Sequence, residues 1–266
     1  MSAQLIVEPE QFAQAPTDAN RIIVDLSSEA AYSSGHLPGA IHLPPQALMH
    51  GQPPVPNKLP GLEQLQRIFA YLGHTPDTHY VVYDDEGGGW AGRFIWTLDV
   101  IGHRNYTYLN GGIRAWKAAE LPLESKPNQA QPTNPVIEIH REPIAEIEDI
   151  LPRLNDPHFA VWDARSSQEY RGEKVLAQKA GHIPGAVHCE WTELMDPERH
   201  YRIREDAEDY LRTKGLTAEQ DMVTHCQSHH RSGFTYLVGK SLGFNIRGYH
   251  GSWAEWGNDP ATPVEQ

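Results

Sequence analysis

An internal duplication is the strongest constraint on how this chain folds. Residues 35–42 read Gly-His-Leu-Pro-Gly-Ala-Ile-His and residues 181–188 read Gly-His-Ile-Pro-Gly-Ala-Val-His, so six of the eight positions are identical. A short apolar run that ends in Asp precedes each copy, at residues 21–25 and 159–163. Solenoid repeats are about 20 to 50 residues long, and this repeat is far longer. The sequence therefore predicts a duplicated domain.

The two copies differ in one insertion and are joined by a polar segment. The second copy carries about eight additional residues, at 172–179, which we expect to form a surface loop. Residues 121–135 are polar and rich in Pro, as is typical of an extended linker. We predict a first domain at residues 1–124, a linker at 125–136 and a second domain at 137–266.

Within each half, short apolar runs alternate with helical patterns. In residues 62–72, for example, the apolar residues at 62, 65, 68, 69 and 72 share one helix face. Alternation of strands and helices favours a mainly parallel sheet with helices on both faces. We therefore expect an α/β fold with two tandem domains of this kind, and a reactive site at the carboxyl ends of the strands.

Charge and hydropathy exclude several classes of partner and location. The formal net charge is −13 and no dense Lys/Arg run is present, so neither nucleic acid nor an anionic membrane is an expected partner. No apolar run approaches the roughly 20 residues that span a bilayer, and the first residues lack an export signal. Two cysteines are too few for a disulfide framework, which fits a reducing cytosol. We expect a soluble, cytoplasmic protein.

The strongest chemical signal is the segment Cys-Gln-Ser-His-His-Arg at residues 226–231. It follows an apolar strand that is predicted to end at Cys226, and a helical pattern comes after it. Such a turn directs backbone N–H groups and the positive end of a helix at the thiol. Together with Arg231 and a charged His229 or His230, it should lower the thiol pKa below its free value of about 8.5. We predict a thiolate nucleophile that needs neither a metal nor a separate general base.

The cysteines could instead be metal ligands or buried core residues. His225, Cys226, His229 and His230 could ligate a metal, but structural zinc normally uses two separated pairs of ligands, so no metal site is predicted. A lone Cys at a strand end is often a small buried hydrophobic residue. That interpretation suits Cys189, because the first half has a Leu at the matching position. No redox couple between the two cysteines is expected.

The matching turn in the first half lacks a thiol. Aligning the two halves on the glycines downstream of the turn places Asp85 opposite Cys226. Two more carboxylates, Asp84 and Glu86, flank that position and would repel an anionic donor. We predict that this half is not catalytic and that its turn packs against the second domain, walling the entrance to the Cys226 site.

Three motifs resemble those of the tandem-domain rhodaneses, and the resemblance covers essentially the whole chain. They are the Asp-x-Arg-x-x-x-Glu-Tyr segment at 163–170, the six-residue loop led by Cys226, and Gly-Ser-Trp-x-Glu-Trp at 251–256. The resemblance implies that the first domain is inactive, because it has an Asp at the position of the catalytic Cys. It also implies a thiosulfate sulfurtransferase, in which Cys226 takes the outer sulfur of thiosulfate, releases sulfite and passes the persulfide sulfur to cyanide or another thiophile, a protein included.

The resemblance and the charge pattern together indicate which residues form the site. Cys226 is the expected catalytic residue and its persulfide the covalent intermediate, with no other cofactor. The expected donor-binding residues are Arg165, Gln227, Ser228, His229, His230 and Arg231. The loop is most similar to that of bacterial rhodaneses of the Azotobacter type, and it differs from the Cys-Arg-Lys-Gly-Val-Thr and Cys-Gly-(Ser/Ala)-Gly-Val-Thr loops of other thiosulfate and mercaptopyruvate enzymes.

Three alternatives stay open at this point. The chain could be a persulfide carrier that delivers sulfur to partner proteins, because carriage and catalysis use the same loop. It could prefer 3-mercaptopyruvate as its donor. Related phosphatase domains have loops that resemble Cys-x5-Arg, whereas four residues separate Cys226 from Arg231 here. This shorter loop favours sulfur over phosphate.

Overall fold

The computed structural model describes residues 5–266, and its two halves contain the same succession of strands and helices. The first half comprises β1 (Ile6–Val7), α1 (Pro9–Ala13), β2 (Arg21–Asp25), α2 (Glu29–Ser34), β3 (Ile41–His42), β4 (His50–Gln52), β5 (Val55–Lys58), α3 (Leu62–Tyr71), β6 (His79–Tyr83), α4 (Gly89–Val100), β7 (Tyr106–Leu109) and α5 (Gly112–Ala118). The second comprises β8 (Ile144–Ala145), α6 (Ile147–Ile150), β9 (Phe159–Asp163), α7 (Ser167–Tyr170), β10 (Val187–His188), β11 (Met195–Asp196), β12 (Arg202–Ile203), α8 (Ala207–Lys214), β13 (Asp221–His225), α9 (Arg231–Ser241), β14 (Asn245–Tyr249) and α10 (Ser252–Trp256). Short 3₁₀ turns occupy Pro45–Leu48, Leu151–Arg153 and Trp191–Leu194.

Each half is built around a five-stranded sheet. The strand order is β1-β7-β6-β2-β3 in the first sheet and β8-β14-β13-β9-β10 in the second. Every neighbouring pair within these two sheets is parallel. The two orders are equivalent strand by strand, which confirms the predicted duplication and the α/β fold. β4 with β5, and β11 with β12, form two small antiparallel ribbons.

Apolar residues cover both faces of each sheet. In β6, Tyr80 and Val82 belong to one buried cluster, whereas Val81 and Tyr83 belong to another. Because successive side chains of a strand point to opposite faces, the two clusters lie on the two sides of the sheet. The first cluster includes residues of α3 and α4, and the second includes residues of α1 and α5. The predicted helix over residues 62–72 is confirmed as α3.

The two halves pack together through α4 and α9. These helices approach so closely that a Cβ atom added at Gly92 would lie 2.2 Å from the carbonyl oxygen of Gly233. One apolar cluster continues across this contact, with Phe94 and Phe234 among its members. The two sheets therefore share one buried interface, and the loops that precede α4 and α9 are held close to each other.

A buried carboxylate ties the far end of the same interface together. Asp99 of α4 accepts hydrogen bonds from the hydroxyls of Tyr106 (2.5 Å) and Tyr236 (2.6 Å), and it forms ion pairs with Arg104 and Lys240. Tyr236 and Lys240 belong to the second half. A buried charge must be paired to be tolerated, so these contacts favour a single arrangement of the two halves.

The segments outside the repeats also have defined positions. Residues 124–140 run along the first half, where Glu124 pairs with His36 in an isolated bridge and the His140 N–H donates to Val100. The insertion at 172–179 is an irregular loop in which Val175 and Leu176 are exposed, as predicted. Among the helices of residues 5–266, none has the length and apolar character to cross a membrane.

Candidate active site

Cys226 lies at the carboxyl edge of the second sheet, directly after β13. The last residue of that strand, His225, pairs with Asp163 at the end of β9, and α9 begins at Arg231. The strand therefore ends one residue earlier than predicted, but the succession of strand, short loop and helix is as expected. This geometry places the N-terminus of α9 next to the thiol.

Hydrogen-bond donors and one cation surround the Cys226 thiol. Its side chain is 1% exposed, and burial, the largest influence, opposes ionisation. The charge of Arg231, the hydroxyl and N–H of Ser232 and the N–H of Ser228 together outweigh that effect. The pKa of Cys226 is consequently lowered from its usual value, and a buried thiol of this kind is a ready nucleophile.

The closing Gly-Ser-Trp segment supports the base of the loop. The N–H groups of Trp253 and Ala254 donate to the carbonyls of Cys226 and Gln227, each at 2.9 Å. The N–H of Cys226 donates to the hydroxyl of Ser252 at 3.4 Å. The loop backbone is thus fixed from α10, so the donors around the thiol keep their positions without reorganisation during a reaction.

Arg231 is held by a carboxylate that the sequence did not connect with the loop. Its guanidinium donates two hydrogen bonds to Glu169, at 2.7 and 2.9 Å. Burial works to raise the pKa of Glu169, but Arg231 and Ser166 lower it to about 2. Glu169 closes a capping box with Ser166 at the start of α7. The cation beside Cys226 is therefore fixed in place by the second domain's early helix.

The pKa values of the two loop histidines are shifted in opposite directions. Burial lowers the pKa of His229 well below its usual value, and its ring is wholly enclosed, with Nδ1 2.8 Å from the Ser232 hydroxyl. His230 is also buried in part, but a hydrogen bond and the charge of Glu86 raise its pKa. Of the two, protonation is favoured at His230, while His229 packs edge-on against Trp96.

The remaining loop side chains point to neighbouring segments. The amide nitrogen of Asn57 donates to the Ser228 hydroxyl at 2.8 Å, so β5 of the first half contacts the loop directly. The Gln227 side chain donates to the Leu176 carbonyl, at 3.3 Å, in the insertion loop. Both the first half and the insertion therefore border the site. Donor binding by Gln227 and Ser228 stays a prediction.

Arg165 has a different environment from the one that a donor-binding role requires. Its guanidinium is 1% exposed, bonds both oxygens of Asp163 and donates to the Gly181 carbonyl at 2.8 Å. It also stacks over Trp253, with 4.3 Å between the guanidinium carbon and the ring centre. These contacts favour a structural role for Arg165, and its donor-binding role stays a prediction.

A buried cation from the first half also reaches the loop. Arg93 of α4 is 1% exposed and donates to three carbonyls, those of Asn57 (3.0 Å), Leu48 (3.2 Å) and His229 (3.4 Å). Burial lowers its pKa to about 9, an effect that the Cys226 thiolate opposes. Arg93 thus joins the β4–β5 region to the catalytic loop and adds positive charge behind it.

Comparison with known proteins identifies the family. The rhodanese-like domain model matches two segments, residues 8–119 and 146–259. The chain belongs to the rhodanese family. A thiosulfate sulfurtransferase from Azotobacter vinelandii is 54% identical over 99% of this chain and 98% of its own length, and one from Pseudomonas aeruginosa is 52% identical over 98% and 97%. A sulfur carrier protein from Thermus thermophilus is 30% identical over 88% and 86%.

Solved structures agree on the fold. The anaerobic ergothioneine biosynthesis enzyme from Chlorobium limicola superimposes with a TM-score of 0.85 at 21% identity, over 100% of this chain and 71% of that one. At this level of identity the similarity concerns the fold alone. The two family matches and the 54% identity to the relative from Azotobacter vinelandii confirm the predicted resemblance to tandem-domain rhodaneses of the Azotobacter type.

In the first rhodanese domain, Asp84 and not Asp85 occupies the position of Cys226. Asp84 directly follows β6, as Cys226 follows β13. Its carboxylate accepts N–H bonds at 2.8 to 3.1 Å from Glu86, Gly87, Gly88 and Ala91. Gly92 lies eight residues after Asp84, whereas Gly233 lies seven residues after Cys226, so an alignment on these glycines is shifted by one residue from the register of the strands and selects Asp85. Burial, foremost, raises the pKa of Asp84 to about 6.

Cys189 is a packed core residue, as predicted. It is 0% exposed, and burial raises the pKa of its thiol to about 12. Leu43, at the matching position of the first domain, is also buried, with 2% exposure. Both cysteines are free thiols. Within residues 5–266 no group of three or more His, Cys, Asp or Glu side chains is arranged to hold a metal ion.

Among the residues around the site, Ser232, Glu169, Glu86 and Arg93 were not predicted from the sequence to belong to it. Ser232 could have been found, because a Ser at the start of a helix after a nucleophilic loop offers both a hydroxyl and an N–H. Glu169 lies within the motif at 163–170, but its contact with Arg231 spans 62 residues. Glu86 was interpreted only as part of a repulsive group of carboxylates, and no local pattern connects it with His230.

Proposed function

We propose that this protein is a thiosulfate sulfurtransferase whose sulfur carrier is Cys226. The thiolate attacks the outer sulfur of thiosulfate, the sulfur–sulfur bond of thiosulfate breaks, and its electron pair leaves with sulfite. Cyanide or another thiophile then attacks the outer sulfur of the persulfide, which restores the thiolate. Each step is a displacement at sulfur, so no external oxidant, metal or organic cofactor is required.

The observation that carries the proposal is the lowered pKa of a buried thiol enclosed by donors. The N–H groups of Ser228 and Ser232 and the charge of Arg231 stabilise negative charge at Cys226. The same groups suit the negative outer sulfur of a persulfide. When it is protonated, which Glu86 favours by raising its pKa, His230 adds a further positive charge near the loop, and that charge favours an anionic donor.

The curated relatives support the choice of donor. The two proteins that share 52–54% identity over nearly their full lengths are named thiosulfate sulfurtransferases. Proteins from Escherichia coli named 3-mercaptopyruvate sulfurtransferases share only 27% identity with this chain. We therefore propose thiosulfate rather than 3-mercaptopyruvate as the better donor, and parallel turnover assays with both donors test that order. Two free cysteines fit a reducing compartment, so we place the enzyme in the cytoplasm.

Removal of the thiol tests the function. Cys226→Ala should abolish thiosulfate-dependent formation of thiocyanate from cyanide. Cys189→Ala is the matched control, because it removes the other thiol, which is buried away from the loop and has a pKa of about 12. Turnover by Cys226→Ala at the rate of the unmodified protein would overturn the assignment.

Sulfur carriage is the second candidate, and the relative from Thermus thermophilus named a sulfur carrier protein favours it. A carrier would pass the persulfide to a protein thiol faster than to cyanide. Loading the protein with thiosulfate, removing the excess and offering a cysteine-containing acceptor protein or cyanide in turn separates the two functions. Phosphatase activity is not expected, because the loop is one residue shorter than the phosphate-binding loops, and an aryl phosphate assay checks this.

A further inference from the structure

The first domain reaches the catalytic loop through a carboxylate. Glu86 belongs to the loop between β6 and α4, and its Oε1 forms a short hydrogen bond with Nε2 of His230. The His230 ring stacks on Trp90 of the same domain, with ring centres 4.3 Å apart and an angle of 30°. The ring of Trp191, in the second domain, also lies near it, with ring centres 5.7 Å apart. His230 is therefore fixed in position and orientation by contacts across the domain interface.

The charges that face His230 are mainly negative. Glu86 contacts it, and Asp84 and the Cys226 thiolate act on it through space, all three favouring its protonated form. Burial opposes this and is the largest single influence, but the pKa of His230 is nevertheless raised. The neighbouring His229 is neutral because of its burial, so it adds no positive charge. Of the acidic groups facing His230, only Glu86 is hydrogen-bonded to the ring.

A protonated His230 and a neutral one differ in their effect on an anionic donor. Thiosulfate carries two negative charges and must approach a thiolate, which repels it. A cation at His230 offsets that repulsion at the entrance, in addition to the fixed charge of Arg231. Deprotonation of His230 removes this contribution, so capture of the donor should weaken as the pH rises through the pKa of His230.

We propose that Glu86 of the first domain is a positioning residue for the reaction of the second: it holds His230 oriented beside the Cys226 loop and sets the upper pH limit of thiosulfate capture. This inference rests on the proposed function. It gives the domain that lacks a thiol a direct part in the reaction, since a carboxylate of that domain controls a charge in the site of the other.

Glu86→Gln tests the proposal in the full-length protein, because Gln keeps the shape and a hydrogen-bond acceptor but removes the charge. An ion pair of this kind shifts a pKa by about one unit or more, so NMR titration should show His230 losing its proton at least about one pH unit lower. At a pH between the two titrations of His230, the KM of the variant for thiosulfate should exceed that of the unmodified enzyme by about three- to tenfold, with a smaller change in kcat. At a pH about one unit below both titrations, the two KM values should agree within about twofold, since His230 is protonated in both.

Two variants serve as controls. Glu29→Gln removes a carboxylate that lines the same first-domain cleft as Glu86 and should leave both the His230 titration and the KM unchanged. His230→Gln assigns the NMR signal, and in its background Glu86→Gln should have no further effect on the KM. An unchanged His230 titration in Glu86→Gln, or an unchanged KM at a pH between the two titrations despite a lowered one, would overturn the proposal. Absence of any thiosulfate turnover in the unmodified protein would instead refute the proposed function, and the titration would still decide whether Glu86 controls His230.

Discussion

Removing the carboxylate of Glu169 should cost stability in a way that depends on pH. The pKa of Glu169 is lowered from 4.5 to about 2, with burial opposing the shift and Arg231 the main stabilising partner. The side chain is 3% exposed, so solvent screens the pair only weakly. At about 1.4 kcal/mol per pH unit, the ionised carboxylate contributes roughly 3 kcal/mol to the free energy of unfolding at pH 7.

The direction of this pH dependence follows from the difference between the pKa values of Glu169 in the folded and unfolded states. Because the folded pKa lies below the unfolded one, the contribution is fully present above pH 4.5 and is lost as the pH falls towards 2. Glu169→Gln should therefore lower the free energy of unfolding by about 2 to 3 kcal/mol at pH 7 and by about half as much at pH 3. Urea unfolding followed by tryptophan fluorescence at both pH values measures the difference.

The pKa of the Cys226 thiol provides a second, independent test of the roles of Glu169 and Arg231. Glu169→Gln leaves Arg231 charged, so the pKa of Cys226 should not rise. Arg231→Gln removes the cation that most favours the thiolate, and the pKa of Cys226 should rise by about one unit or more, as measured by the pH dependence of iodoacetamide alkylation. A loss of stability that is equal at pH 7 and pH 3, or no change of the thiol pKa in Arg231→Gln, would refute this reasoning.

Two further predictions concern packing and the role of Arg165. Gly92→Ala should lower the free energy of unfolding by about 1 to 3 kcal/mol, because the added Cβ would meet the Gly233 carbonyl. Gly61→Ala is the control, since an added Cβ there has nothing within 4 Å and should change the free energy of unfolding little. Equal effects of the two substitutions in calorimetry would contradict the close contact of the helices. Arg165→Ala should lower the free energy of unfolding by about 3 to 5 kcal/mol, because the buried Asp163 carboxylate would lose its guanidinium partner. The KM of its folded fraction for thiosulfate decides the predicted donor-binding role, which an unchanged KM would exclude.

The fold and the site could be predicted from the sequence where the pattern is local and periodic. The repeated Gly-His-x-Pro-Gly-Ala motif showed the duplication, and both of its histidines serve the fold: Nδ1 of His36 lies 2.8 Å from the Tyr32 carbonyl and Nδ1 of His182 lies 2.9 Å from the Tyr170 carbonyl. The strand, loop and helix around Cys226 were predicted from apolar runs and turn residues. Each of these features depends on residues that are close in the chain.

The sequence was insufficient where charge depends on burial. His229 and His230 are neighbours with the same side chain, yet burial lowers the pKa of one well below its usual value, whereas Glu86 of the other domain raises the pKa of the other. Likewise Asp84 and Asp85 are adjacent, and the end of β6 at Tyr83 determines that Asp84 is the one that follows the strand. The contact of His230 with Glu86, across 144 residues, depends on the packing of α4 against α9, and that of Arg231 with Glu169, across 62 residues, depends on packing within the second domain. Neither can be predicted from spacing.

The central claim is that Cys226 carries a sulfur atom taken from thiosulfate. Intact mass spectrometry of the protein after brief incubation with thiosulfate, and again after addition of cyanide, tests it most directly. We predict a gain of about 32 Da that peptide mapping assigns to Cys226, that cyanide removes, and that is absent from Cys226→Ser. No gain in mass, or the same gain in Cys226→Ser, would contradict the account.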